Sequence, residues 1–262
     1  MKPISATIFL LFVLLILLTP IYSQDYEREN DFWVQPLHME NSGAITAYLG
    51  FSETIRIPPI IRGMTITEIW ESSFENRELS EIEIPDSVER INYRAFAWNQ
   101  IISLSLPTML NFIGEGAFAR NRITEIIFSG NLQLIGNYAF RRNRIVSLVL
   151  PDSLTHIGIA AFEDNRLENL VLSESLTSIE DFTFLDNLLE FIVIPDNIRY
   201  IGSAAFLGNP ISRITIGSNV EISNNEFLPA LPPGFINVYN EEGRRAGTYF
   251  LENEIWNVEF RQ

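Results

Sequence analysis

The sequence predicts a repeat solenoid, a coil of short strands stacked into a parallel β-sheet, and three observations predict it. Phe74, Phe96, Phe118, Phe140, Phe162, Phe184 and Phe206 stand 22 residues apart without an insertion. Ile69, Ile91, Ile113, Ile135, Ile157, Ile179 and Ile201 keep the same step. So do Asn99, Asn121, Asn143, Asn165, Asn187 and Asn209, each three residues after its phenylalanine. A fixed period of this length marks units that cannot bury their apolar face alone and therefore stack, here as about seven repeats.

The ends of the chain do not follow the period. Residues 1–23 read as a signal peptide, with Lys2 as the positive start, an uncharged apolar run from Ile8 to Leu18, and Ser23 as a small residue for cleavage. Left uncut, the same run is just long enough to span a membrane. Residues 24–68 read as an N-terminal cap with a divergent first repeat, 69–222 as the solenoid and 223–262 as a C-terminal cap. The last of these breaks the period with Pro229, Pro232, Pro233 and Gly234 before a strand-like stretch, Ile-Asn-Val-Tyr, at 236–239. Caps are required because an open edge strand recruits other chains.

Within a coil, apolar residues alternate after the asparagine: Ile82 and Ile84, Leu104 and Leu106, Ile126 and Phe128, Leu148 and Leu150, Leu170 and Leu172, Ile192 and Ile194, Ile214 and Ile216. Period two means a short strand with one face in the core. Pro85, Pro107, Pro151 and Pro195 end it, since proline cannot donate to the ladder. A turn then returns Val88, Leu110, Leu132, Leu154, Leu176, Ile198 and Val220 inward. Gly114, Gly136, Gly158 and Gly202 close the coil, and a left-handed backbone there is the expectation, with Asn92 able to imitate it. Glu180 fits that conformation poorly, so the coil from 179 to 200 is expected to be irregular. The phenylalanines are expected to stack edge to edge as a spine, and the asparagines to bond the backbone of the adjacent coil.

Composition narrows the function. The formal charge is −15, and it becomes −16 without residues 1–23 because Lys2 is the only lysine. Such a field repels phosphate backbones, which argues against nucleic acid as a partner. Zero cysteines remove disulfides, thiolate chemistry and a lipoprotein attachment point together. Phosphate loops, metal-spaced clusters and nucleophile elbows do not occur. His38 and His156 are the only histidines, and His156 reads as a solvated turn residue. The acidic column Asp86, Asp152, Glu174 and Asp196 suits turn initiation better than calcium. No catalytic, cofactor or metal residue is expected, and the chain does not read as an enzyme.

The repeat unit, as in Leu-Val-Leu-Pro-Asp-Ser-Leu-Thr-His-Ile-Gly-Ile-Ala-Ala-Phe-Glu-Asp-Asn at 148–165, resembles the BspA-like (Treponema-type) class of bacterial leucine-rich repeat surface proteins, over about residues 43–222. The resemblance implies an exported, adhesin-like protein of the cell surface, secreted or periplasmic. Its implied partner is a host matrix or surface protein, or another bacterial surface component. Many members carry cysteine where this chain keeps asparagine. A structural envelope scaffold without an external ligand is the competing reading, and a membrane enters only through an uncut leader.

Two surface features are candidates for recognition. The strand position between the two core residues reads Glu83, Ser105, Ile127, Val149, Val171, Val193, Thr215, four aliphatics flanked by polar residues. Alternation points these side chains at solvent, so Ile127, Val149, Val171 and Val193, extended by Phe191, form an expected apolar ridge with coils about 4.8 Å apart. The second is an arginine stripe, Arg122, Arg144 and Arg166, with Arg120, Arg141 and Arg142 close by. It suits an anionic glycan, unless Glu125, Glu163 and Asp164 neutralise it as a solvated face.

Overall fold

The computed structural model describes residues 26–260 apart from 224, 226 and 227, so the expected leader lies outside the described residues. Each coil passes through two strands. Three-residue strands at Glu81–Glu83, Ser103–Ser105, Glu125–Ile127, Ser147–Val149, Asn169–Val171 and Phe191–Val193 form one face, with Arg213–Ile216 after them. All but one show an exposed, buried, exposed pattern, as the alternation required. Two-residue strands such as Arg90–Ile91, Phe112–Ile113 and Leu134–Ile135 form a second face, built on the isoleucine column. The result is a parallel β-solenoid of about eight turns.

One apolar core runs from Phe32 to Trp256. The phenylalanine spine fills it, and the ring contact differs from the edge-to-edge arrangement expected. Phe96, Phe118, Phe140 and Phe162 follow one another at centroid distances of 5.3–5.4 Å with interplanar angles of 6–10°, which is offset parallel stacking. Identical residues in identical rotamers, displaced by one coil, must come out parallel; tilted pairs need neighbours that differ. The spine extends past the repeats, because Tyr48 stacks on Phe74 at 5.5 Å and Phe32 lies 5.5 Å from Tyr48.

The asparagine column sits beside it. In Asn143 the side-chain amide donates to the carbonyls of Phe118 and Phe140 at 2.9 and 3.0 Å, and its oxygen accepts the Ile123 N–H at 3.1 Å. Asn121, Asn165, Asn187 and Asn209 repeat the arrangement. Each amide therefore ties its coil to the preceding one with groups that a turn would otherwise leave unpaired.

The glycine column has a different cause from the one expected. None of Gly114, Gly136, Gly158 and Gly202 is left-handed; that conformation falls two residues later, at Gly116, Tyr138, Ala160 and Ala204. A Cβ on any of the four would stand 2.5–2.7 Å from a backbone atom of the preceding coil, so the requirement is close approach. Asn92 is not left-handed either; its N–H and its side-chain amide both reach the Ile69 carbonyl, at 2.9 and 3.1 Å. Glu180 brings a Cβ where Gly158 and Gly202 have none. The second-face ladder, continuous up to His156–Ile157, is interrupted before Ser178–Ile179 and resumes with Tyr200–Ile201. The break falls at the start of the coil expected to be irregular.

The ends close the stack. Phe32–Pro36 lies antiparallel on Ser42–Tyr48, which pairs parallel with Met64–Ile69. At the other end Gly247–Glu252 pairs antiparallel with Arg213–Ile216, and Ile255–Phe260 pairs with Gly247–Glu252. The strand expected at 236–239 is helix, Phe235–Glu241. Its apolar residues alternate in Ile236 and Val238, but Phe235 and Tyr239 are the ones fully buried, four apart on one helical side. Pro232, Pro233 and the left-handed Gly234 set the start of the helix. The Tyr239 hydroxyl donates to the Gly217 carbonyl at 2.8 Å and accepts the Val220 N–H at 3.1 Å, which binds the helix to the last coil.

Candidate recognition face

The alternation that buries Ile126, Leu148 and Ile192 turns their neighbours outward. Ile127 is 81% exposed, Val149 62%, Val171 55%, Phe191 51% and Val193 51%. Glu83 and Ser105 precede this run and are exposed, while Thr215 follows half-buried, its hydroxyl 3.0 Å from that of Thr248 in the C-terminal cap. The cap thus reaches Thr215 and leaves Val193 open. Val149 is in register with Val171, and Ser105 with Ile127.

The ridge is not continuous. Strand Ser103–Ser105 pairs with Glu125–Ile127, Ser147–Val149 with Asn169–Val171, and Phe191–Val193 with Arg213–Ile216, without ladder bonds between these groups. Between the first and second groups an opening of about 730 Å³ is walled by Ile127, Phe128, Val146, Val149 and Pro151. Sequence reasoning missed it. Phe128 was a readable signal, since it is larger than the Leu or Ile of the equivalent position elsewhere and packs its edge on Phe140 at 5.9 Å. Acidic side chains border the ridge on both sides: exposed Asp152, Glu174 and Asp196 follow the strands, and exposed Glu168 and Glu190 precede them.

Arg122, Arg144 and Arg166 lie elsewhere, on the approach to the strands, all exposed. Their backbone N–H groups bond Ile101, Ile123 and Ile145 one coil back, so they rise in step. Of the carboxylates expected to neutralise them, Glu163 is engaged with Arg141 at 2.7 Å and Asp164 with Arg142 at 3.4 Å. Arg120 lies over the Trp98 ring at 4.1 Å. Desolvation, and then the neighbouring Arg142 and Arg141, hold its guanidinium below the usual arginine value.

His156 is exposed but sits on the strand His156–Ile157, where a turn was expected. Asp86 accepts the Thr108 N–H at 2.9 Å from the next coil, a turn-stabilising role. Among the described residues, no group of three or more His, Asp or Glu is placed to hold a metal ion, and no helix is long and apolar enough to cross a membrane.

A family model described as the BspA type leucine-rich repeat region matches residues 44–146 and 113–229, in six copies. No curated protein matches. Among solved structures, a leucine-rich repeat protein of Treponema pallidum is 21% identical with a TM-score of 0.52, covering 84% of this chain and 96% of that one. A leucine-rich cell surface protein of Faecalibacterium prausnitzii is 20% identical with a TM-score of 0.55. It is matched over 90% of this chain and 61% of its own length. At this identity the likenesses show the fold.

Proposed function

Because the chain belongs to the BspA-type leucine-rich repeat family, whose members are typically cell-surface proteins, we propose that it is exported and recognises a protein partner through the ridge from Ile127 to Val193. The observation that carries this reading is the exposure of five large apolar side chains on consecutive coils. Water-facing apolar clusters on a soluble surface mark contact sites. The acidic borders set the partner's chemistry, an apolar segment flanked by basic residues, and the opening beside Phe128 admits one of its side chains as an anchor. The competing reading of an envelope scaffold attributes those residues to the strand propensity of Val and Ile alone, and their contiguity on neighbouring coils favours recognition. We infer adhesion to a host matrix protein, or to another bacterial surface component, as the physiological setting.

Val149→Asp with Val171→Asp should weaken binding to immobilised matrix proteins by about thirtyfold or more, since each substitution puts a charge into a desolvated contact. Melting should stay cooperative, because both positions face solvent. Unchanged binding would move the contact to another face. Protease shaving of intact cells tests location: a surface protein is cut, whereas a periplasmic scaffold is spared.

The arginine stripe supports a second contact, with an anionic glycan, because among the described residues Arg122, Arg144 and Arg166 have no acidic side chain bound to them. Elution of the protein from immobilised heparin should require several hundred millimolar salt, and Arg144→Ala with Arg166→Ala should bring it to roughly physiological strength. Retention that ignores salt, or survives the double substitution, removes the stripe as an anion site.

A further inference from the structure

At the N-terminal end, away from the ridge, two clefts adjoin and share Trp70 and Glu71 as a common wall. The first, about 600 Å³, lies against Trp33, Gln35, Thr46 and Arg62. The second, about 660 Å³, lies against Glu68, Asn92, Tyr93 and Glu115. Each has the size of a small-molecule site, although the lining is mixed where most such sites are predominantly apolar.

Both tryptophans reach the surface, Trp33 exposed and Trp70 half-buried. Trp33 is 61% exposed, and the strand pairing shifts register between Trp33 and Val34, a bulge of the kind that re-aims side chains. Trp70 is fixed from below: its indole N–H donates to a Glu68 carboxylate oxygen at 3.0 Å, which sets the ring's orientation. In the second cleft the Tyr93 and Phe112 rings carry a cation, Arg94 at 5.1 Å from Tyr93 and Arg90 at 3.9 Å from Phe112. Among the described residues, Trp33 and Trp70 have neither a guanidinium over them nor a ring stacked on them. Beside these open rings stand Glu71 and Glu115, exposed carboxylates that can only accept hydrogen bonds, with Gln35, Thr46 and Asn92 able to donate or accept.

We propose that this double cleft binds a neutral polyhydroxylated ligand, one or two pyranose rings at the end of a glycan. A pyranose has an apolar face of C–H bonds that packs on an indole, and a rim of hydroxyls that donate to carboxylates. Charge selects within the class. Glu68, Glu71 and Glu115 are matched by Arg62, Arg90 and Arg94, so the cleft offers no net charge to draw in an ionic sugar, in contrast to the arginine stripe. The site is independent of the ridge and of the stripe.

The test is a titration of the purified protein with cellobiose, lactose, maltotetraose and N,N′-diacetylchitobiose, followed by tryptophan fluorescence and by calorimetry. At least one should bind and perturb the fluorescence. Trp33→Ala and Glu71→Gln should each weaken that binding about tenfold with melting unchanged, since both side chains are exposed and tenfold corresponds to a single lost contact. Val149→Asp with Val171→Asp should leave it intact, which separates failure here from failure of the ridge. The proposal is overturned if none of the four sugars binds, if binding survives both cleft variants, or if tetramethylammonium binds at the same cleft as tightly as the sugar.

Discussion

Phe140→Ala should lower stability by about 3–5 kcal/mol, the range for emptying a large aromatic from a core that cannot collapse around the gap. Phe140 is fully buried and stacked on Phe118 and Phe162 at 5.4 and 5.3 Å, with the edge of Phe128 against it at 5.9 Å. Neighbouring coils cannot close in, because the backbone hydrogen bonds between coils fix their rise. The Phe118 N–H bonds the Ala139 carbonyl, and the Phe140 N–H bonds the Ala161 carbonyl, both at 2.8 Å. For a chain of this size the loss should lower Tm by roughly 10 °C, with one cooperative transition if the spine couples the coils. A Tm within a degree or two of the parent would show that the stack fills space without holding the solenoid together.

Most of the fold was legible in the sequence because a solenoid repeats its demands. Seven phenylalanines at one step can only mean seven equivalent environments, and the alternation around Leu148 or Ile192 fixes which side of a strand is wet. The same rule placed Val149 and Val193 in solvent. What the sequence did not disclose lies where the repeat ends or where geometry acts between coils. The helix Phe235–Glu241 was hidden because two patterns coexist in seven residues, and the pairing of Phe235 with Tyr249 and Trp256 decides between them. The glycine column looked like a backbone requirement, yet the contact at Gly136 is with Glu115 and Gly114 of the previous coil, a distance no single repeat contains. The breaks in the ladder beside Ile127 and Phe191 have the same character, since hydrogen bonding between coils depends on how each stacks on the next. The double cleft joins Trp33 of the cap to Tyr93 of a later coil, and no spacing in the chain announces that.

Asn143→Leu is expected to lower stability by about 1–3 kcal/mol, although the substitution adds apolar surface to a core. The reason is the backbone donor it abandons. The Phe118 and Phe140 carbonyls keep the amides of Asn121 and Asn165 at 3.1 and 3.0 Å, but the buried Ile123 N–H loses its acceptor, and a buried group left without a partner costs about 1–3 kcal/mol. Asn209 supplies the control within the same molecule. It makes the same three bonds, to the Phe184 and Phe206 carbonyls at 2.9 and 3.0 Å and from the Leu189 N–H at 3.0 Å. It is half-buried where Asn143 is buried, so water can reach part of what Asn209→Leu exposes. Denaturant unfolding of the two variants side by side should therefore give the smaller loss at Asn209. Equal losses would mean that the bonds themselves set the cost, and a small loss at both would mean that the amide column decorates a structure held by the aromatic spine alone.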